Sequence, residues 1–242
     1  MKKHKIILIM ASASCALMLA GCQRQMSKDK LSTIVTTANK KQVTDGDLQE
    51  KIDAKVLNIH TTSTVKGKFQ SKPFKYFGNM NLSDGKHKNH SLIFIENNKY
   101  YIKQNGKWKA SKNNNVDAKD YKQPMKFLNE KMFKKNIKYS QSGQDVNASL
   151  DLNAKQRQQL LNMLMQDKST DAFDKALITD TKLKKATINE TVDSRTKSVK
   201  HLDETISSSS SLLDYKITIN LDNASRGNQV KRPSDLSVKL NE

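Results

Sequence analysis

Cysteine is nearly absent. Cys15 and Cys22, both close to the start, are the only two in 242 residues. Acidic residues are also scarce: 24 Asp and Glu stand against 43 Lys and Arg, a formal net charge of +19. Arginine is scarcer still, confined to Arg24, Arg157, Arg195, Arg226 and Arg232. Lysine is a hydrated point charge suited to diffuse attraction, whereas arginine is the better bidentate reader of phosphate. The positive excess therefore reads mainly as solvated surface in polyanionic surroundings. No apolar run beyond residue 21 is long enough to span a membrane. Catalytic signatures are missing too, with no Gly-x-Ser-x-Gly, no His-Glu-x-x-His and no phosphate-cradling glycine loop. Asp145, Asp151, Asp167, Asp171 and Asp174 lack the spacing of a calcium loop. His87 and His90 lie in the turn Lys86-His87-Lys88-Asn89-His90, where flanking cations repel a metal. These absences argue against an enzyme, a metal site and a cofactor.

What is present begins with an export signal. Lys2, Lys3 and Lys5 form a cationic start, and residues 6–20 are an uncharged, mostly apolar run. That run is short for a transmembrane helix and fits a signal h-region. It ends in Leu19-Ala20-Gly21-Cys22, which resembles the lipobox of bacterial lipoproteins. The resemblance implies that residues 1–21 are a signal peptide cut before Cys22. It also implies that the Cys22 thiol carries a diacylglycerol anchoring the protein to the extracytoplasmic face of the cell membrane. Two acyl chains suffice to hold a protein stably on a bilayer. Removing residues 1–21 takes away three of the 43 basic residues and none of the acidic ones, leaving a charge of +16. With Cys15 gone and Cys22 acylated, no disulfide forms within the mature chain, so the domain depends on an apolar core. Export also removes nucleic acid as a partner. Anionic lipid headgroups and cell-wall phosphate polymers are the polyanions at hand. Abundant Asn and Lys suit a low-GC, Gram-positive host.

Residues 22–43, rich in Lys, Ser and Thr, read as the lipidated cysteine and a flexible tether. Residues 44–242 then form one domain. Thr44 with Asp47 predicts a capping box, and Leu48, Ile52, Val56 and Ile59 follow at helical spacing, so a helix is expected over 45–59. The period then becomes two. Strands are expected over 61–69, 74–82, 91–95 and 100–104, with turns at Asp84-Gly85 and Asn105-Gly106 before a return through Trp108. A helical block carrying Met125, Leu128 and Met132 follows Pro124. Residues 137–152 read as strand. Asn153 caps a helix carrying Leu160, Leu161, Leu164 and Met165, and a short third helix starts at Ser169 or Thr170. Strands over 183–192, 199–207 and 212–221 close the chain, and Pro233 ends pairing. Runs of strands and runs of helices define an α+β fold with an antiparallel sheet. Roughly nine to eleven strands do not lie flat, so the sheet is expected to curve strongly, with helices on its concave face.

This order resembles the half-barrel lipoprotein-carrier group of LolA, LolB and LppX-like proteins. The features that carry the resemblance are the lipobox, the early helix and the hairpin from Asn98 through Tyr100-Tyr101, Asn105-Gly106 and Trp108. The mid-chain helices and the tail Asp214–Ile219 leading to Val230-Lys231-Arg232-Pro233 complete it. It spans about residues 45–236. It implies a half-barrel with an apolar cavity between sheet and helices, and it carries over no ligand-contact residue. Met125, Leu128, Met132, Leu161, Leu164 and Met165 are the candidate lining of a lipid-accepting groove, since Met adapts to irregular apolar surface. The alternative is an interaction lipoprotein with a filled core, whose basic surface meets anionic cell-wall polymer or a protein partner. A monomer is the expected state.

Overall fold

A computed structural model describes residues 26–41, 43–56, 58–96, 99–111, 133–166, 182–210, 213–224 and 226–237. In chain order these form helix α1 (Lys28–Lys40), strands β1 (Asp45–Val56), β2 (Ile59–Ser71), β3 (Phe74–Ser83), β4 (Lys88–Glu96), β5 (Lys99–Gln104) and β6 (Lys107–Ser111). After a 3-10 turn (Lys134–Asn136) come β7 (Lys138–Ser142), β8 (Asp145–Asp151), helix α2 (Ala154–Gln166), β9 (Lys182–Asp193), β10 (Ser198–Ser209) and β11 (Leu213–Asp222). The eleven strands make one sheet in the order β6-β5-β4-β3-β2-β1-β11-β10-β9-β8-β7. Two antiparallel meanders, β1–β6 and β7–β11, join in the middle through β1 and β11, with Leu48 opposite Leu221. The sheet is open, with edges at β6 and β7.

The α+β reading, the large antiparallel sheet and most strand positions agree with this arrangement. Three local expectations do not. The helix expected over 45–59 is β1 and the start of β2. Leu48, Ile52 and Val56 are spaced by four, a multiple of two, so they share a face in a strand as well as in a helix. The stretch expected as tether contains α1, whose Leu31, Ile34, Val35 and Ala38 are buried at the i, i+3, i+4, i+7 spacing of an amphipathic helix. Ser27 caps it by accepting from the Lys30 N–H, and Asp29 lies in its first turn. Burying three branched aliphatic side chains stabilises the fold by on the order of 5 kcal/mol, which a free linker does not do. Residues 137–152 are a hairpin rather than one strand, turning at Gly143 with φ +60°. The Asn153 cap does form: its Oδ1 accepts from the Gln156 N–H at 3.0 Å, and the Gln156 side chain accepts from the Asn153 N–H at 3.0 Å.

Helix α1 packs on β7 to β10, and α2 packs on β9. Both therefore cover the same face of the second meander. The main core lies there, with Val35, Phe133, Ile137, Val146, Leu150, Leu160, Val192 and Leu202 at most 2% exposed. A smaller cluster forms on the opposite face at β4–β6, where Phe94, Tyr101 and Trp108 pack under Val230 and Leu236 of the C-terminal segment. Asp45 pins that segment. Its carboxylate accepts from the backbone N–H groups of Arg226, Gly227 and Asn228 at 2.9 to 3.0 Å and from the Thr44 hydroxyl at 2.7 Å. Burial pushes the Asp45 carboxyl up, but these four donors outweigh it and hold it below the ordinary range. Farther along, Trp108 Nε1 donates to Asp235 at 3.1 Å, and Arg232 pairs with Glu96 at 2.9 Å while lying over the Tyr101 ring.

Candidate functional site

Strand register defines the helix-bearing face row by row. One row reads Ala148, Glu190, Leu202, Leu221, Leu48, Gly67, Gly78, Ile93 from β8 to β4. The next reads Leu150, Ile188, Glu204, Ile219, Glu50, Val65, Met80, Ser91. Beyond it lie Ala186, Ile206, Ile217, Ile52, Ser63 and Leu82, then Leu183, Ser208, Tyr215, Ala54 and Thr61, and last Val56 with Ile59 and Leu213 at the strand ends. The face is mostly apolar, as period-two patterning requires for the side turned toward a core. Its coverage is not uniform. Under α1 and α2 it is closed. Toward the far ends of β1, β2 and β3 it opens: Val56 is 46% exposed, Ile59 61% and Leu82 42%, and Ile52 and Ile217 are only partly buried. A hollow of about 230 Å³ lies at this open end, lined by Ile52, Thr61, Ser63, Leu82 and Asn89 together with Thr62, Ser83, Asp84 and His87.

Three carboxyl groups interrupt this apolar face. Glu190 is 1% exposed, and its Oε2 accepts from Asn39 Nδ2 of α1 at 3.1 Å, while Oε1 has no partner among the described residues. Burial pushes Glu190 up to about 8 against the weaker opposing effect of Asn39. Glu204 is 5% exposed, and burial alone raises it to about 7. Burial also raises the half-buried Glu50. Neither Glu50 nor Glu204 has a hydrogen-bond donor or a cation against its carboxyl among the described residues.

Of the residues expected to line a groove, Leu161 is buried in the main core beside Leu160. Leu164 and Met165 belong to α2, but their side chains lie outside the described residues, as do Met125, Leu128 and Met132 altogether. Cys22 and the signal also lie outside them. His87 and His90 are not brought together: His87 Nδ1 meets Asp84 at 3.1 Å and His90 Nδ1 meets Asn81 at 2.7 Å. Among the described residues no group of three His, Cys, Asp or Glu is placed to hold a metal, and no helix is long and apolar enough to cross a membrane. Sequence reasoning passed over Glu50, Glu190 and Glu204. Their signal was there, since each sits in phase with the apolar positions of its strand, where a surface glutamate does not belong.

The opposite face is polar except at the smaller cluster on β4–β6 and at Phe77 and Leu92, which border it. A groove of about 650 Å³ runs over β1–β4, lined by Gln49, Lys66, Lys68, Phe77, Asn79 and Leu92 among others. A second hollow of about 540 Å³ lies at the ends of β1, β10 and β11, lined by Asp53, Lys55, His60, Ser207, Asp214 and Lys216 among others. The acids beside the groove are engaged elsewhere: Asp47 accepts from Asn223 at 2.7 Å, and Asp222 meets His201 Nδ1 at 2.5 Å while Asp203 meets Nε2 at 2.7 Å. Burial lowers His201, but the two carboxylates outweigh it and raise it, so the imidazolium that donates to both is favoured.

Comparison with solved structures finds distant similarity over most of the chain. LprF from Mycobacterium bovis is similar at a TM-score of 0.46 and 10% identity, over 85% of this chain and 98% of that one. The lipoprotein LppX from Mycobacterium tuberculosis is similar at 0.42 and 9% identity, over 85% of this chain and 100% of the other. A LolA-superfamily protein from Nitrosomonas europaea follows at 0.26 and 6% identity, over 78% of this chain and 90% of that one. No family model and no curated protein matches the sequence. Likeness at this level says nothing of a ligand, and the chemistry rests on this chain's own residues.

Proposed function

We propose that this protein is an extracytoplasmic lipoprotein, anchored through a diacylglyceryl group on Cys22, that holds an apolar, lipid-like ligand against the helix-bearing face of a curved, half-barrel-like sheet. It does so without catalysis. The observation that carries the reading is the open end of the apolar face. Val56, Ile59 and Leu82 remain exposed in line with the buried core positions of the same strands, on an otherwise strongly basic and polar protein. Exposed apolar side chains grouped at one end of a face and set among polar Thr61 and Ser63 mark a binding site more often than scattered ones do. Purification under native conditions followed by lipid mass spectrometry is expected to find an acyl species in stoichiometric amount besides the anchor, and an uncharged fluorescent alkyl-chain probe is expected to bind and be displaced by it. A protein that carries no such species and binds no alkyl-chain probe overturns the reading. In the host cell, Cys22→Ser is expected to abolish labelling by an alkyne palmitate analogue and release the protein from the membrane fraction.

A second reading keeps the apolar face filled and makes the polar face the working surface. Among the described residues Lys66 and Lys68 form no ion pair, and their groove over β1–β4 is large enough for a segment of anionic cell-wall polymer. That reading requires an affinity falling steeply with salt, where the first requires a co-purifying acyl chain.

A further inference from the structure

The lipid-binding reading leaves the ligand's polar end unassigned, and assigning that end rests on that reading. The sequence supplies 43 Lys and Arg against 24 Asp and Glu. On β1–β4 and β9–β11, however, the helix-bearing face bears no Lys or Arg, and its charged side chains are Glu50, Glu190 and Glu204. The lysines of the central strands, Lys51, Lys55, Lys66, Lys68 and Lys216, alternate onto the other face. Lys184, at the bulge in β9, meets Asp214 of that other face at 3.8 Å. Chance placement in so basic a chain favours the opposite sign.

Glu190 is engaged by Asn39 of α1. Glu50 and Glu204 are different. They flank Ile219 in one row, two strands apart, about 10 Å between backbones at ordinary strand spacing. Val65 and Ile188 bound them in the row, with Ile52, Ile206 and Ile217 in the next. Glu204 is 5% exposed with no donor against it among the described residues. A buried carboxyl without a partner costs more than one that receives a charged donor. A charged donor that suits such a carboxyl has the chemistry of an ammonium group, and the apolar surroundings have the chemistry of an alkyl chain.

We propose that this face selects an amphiphile bearing a protonated primary amine, with the ammonium group held over Ile219 between Glu50 and Glu204 and the alkyl chain lying along Ile52, Ile206 and Ile217 toward the open strand ends. The test is calorimetric titration of the purified protein, below micellar concentration, with dodecylammonium, dodecanoate and dodecanol. Dodecylammonium is expected to bind at least tenfold more tightly than dodecanol, and dodecanoate more weakly than either. A net positive protein attracts dodecanoate nonspecifically, so this order runs against the overall charge. Glu204→Gln and Glu50→Gln are each expected to cut the preference for the amine by about tenfold while leaving dodecanol affinity unchanged, and unchanged dodecanol binding shows that the variants fold. Equal binding of amine and alcohol, or a preference that survives in the double variant, overturns the headgroup assignment and leaves lipid binding standing. Failure of all three probes to bind overturns both.

Discussion

Gly67→Ala is expected to destabilise the protein by about 3 kcal/mol in urea unfolding, at the upper end of what overpacking costs. A Cβ at Gly67 falls 2.3 Å from the Phe77 carbonyl oxygen, 2.5 Å from the Gly78 Cα and 2.6 Å from the Tyr76 hydroxyl. The first two are backbone atoms of β3, so no rotamer change relieves the clash, and β2 and β3 must separate where Gly67 faces Gly78. Gly78→Ala meets the same obstacle from the other side, with the Lys66 carbonyl oxygen at 2.4 Å. The two glycines lie on the helix-bearing face, and the buried Tyr76 lies close over them, filling the notch that two missing side chains leave. Gly143→Asn provides the contrast. Gly143 has φ +60° in open space, and Asn tolerates the left-handed region, so its cost is expected below about 1 kcal/mol. Comparable losses in the two variants would remove the close packing of β2 on β3 as the cause.

The glycine pair also shows where sequence reading stops. Period-two alternation located most strands of both meanders, though not β1, because those strands have one apolar and one polar face and the turns at Asp84-Gly85 and Asn105-Gly106 are chemically explicit. Pairing between β1 and β11, which joins the two halves, leaves no local trace: its partners, such as Leu48 and Leu221, are far apart in the chain and specify each other only through shared burial. Spacing by four in Leu48, Ile52 and Val56 fits helix and strand equally, and only Glu50 and Ala54 between them distinguish the two. Helix α1 was written in Leu31, Ile34, Val35 and Ala38, but its other positions are mostly Thr, Ser, Asn and Lys, whose low hydropathy conceals a narrow apolar stripe. The lipobox at Cys22 is legible because it is contiguous. The row of Glu204, Ile219 and Glu50 is not, since three strands contribute one residue each.

Raising the pH from 4.5 to 8.5 is expected to lower the protein's unfolding free energy by several kcal/mol, and Glu190→Gln is expected to recover about 3 kcal/mol of that at the upper end. The sign follows from the direction of the shifts. An unfolded glutamate ionises near its ordinary value of 4.5, whereas burial holds native Glu190 protonated up to about 8 and Glu204 up to about 7. Between those values the unfolded chain binds fewer protons than the native one, so stability falls as pH rises and levels off above the native values. A raised pKa costs about 1.4 kcal/mol per unit, and relaxation around the ionised carboxylate reduces the full amount. Asp45 and Glu96, both held low in the native state, act in the other direction, but their contribution is lost only as pH falls below the ordinary carboxylate range. His201, held high, contributes below its ordinary value and loses that contribution as pH rises, which deepens the same decline. Urea midpoints at about pH 5 and pH 8.5 separate these effects. Glu190→Gln should match the native chain at the lower pH and exceed it at the higher, because glutamine keeps the bond to Asn39 and never ionises. The same comparison on Glu204→Gln bears on the ligand's headgroup. If its advantage at high pH disappears when dodecylammonium is present, the ammonium group is satisfying the carboxylate that burial otherwise penalises. If the advantage is the same with and without the amine, the ammonium group is not reaching Glu204.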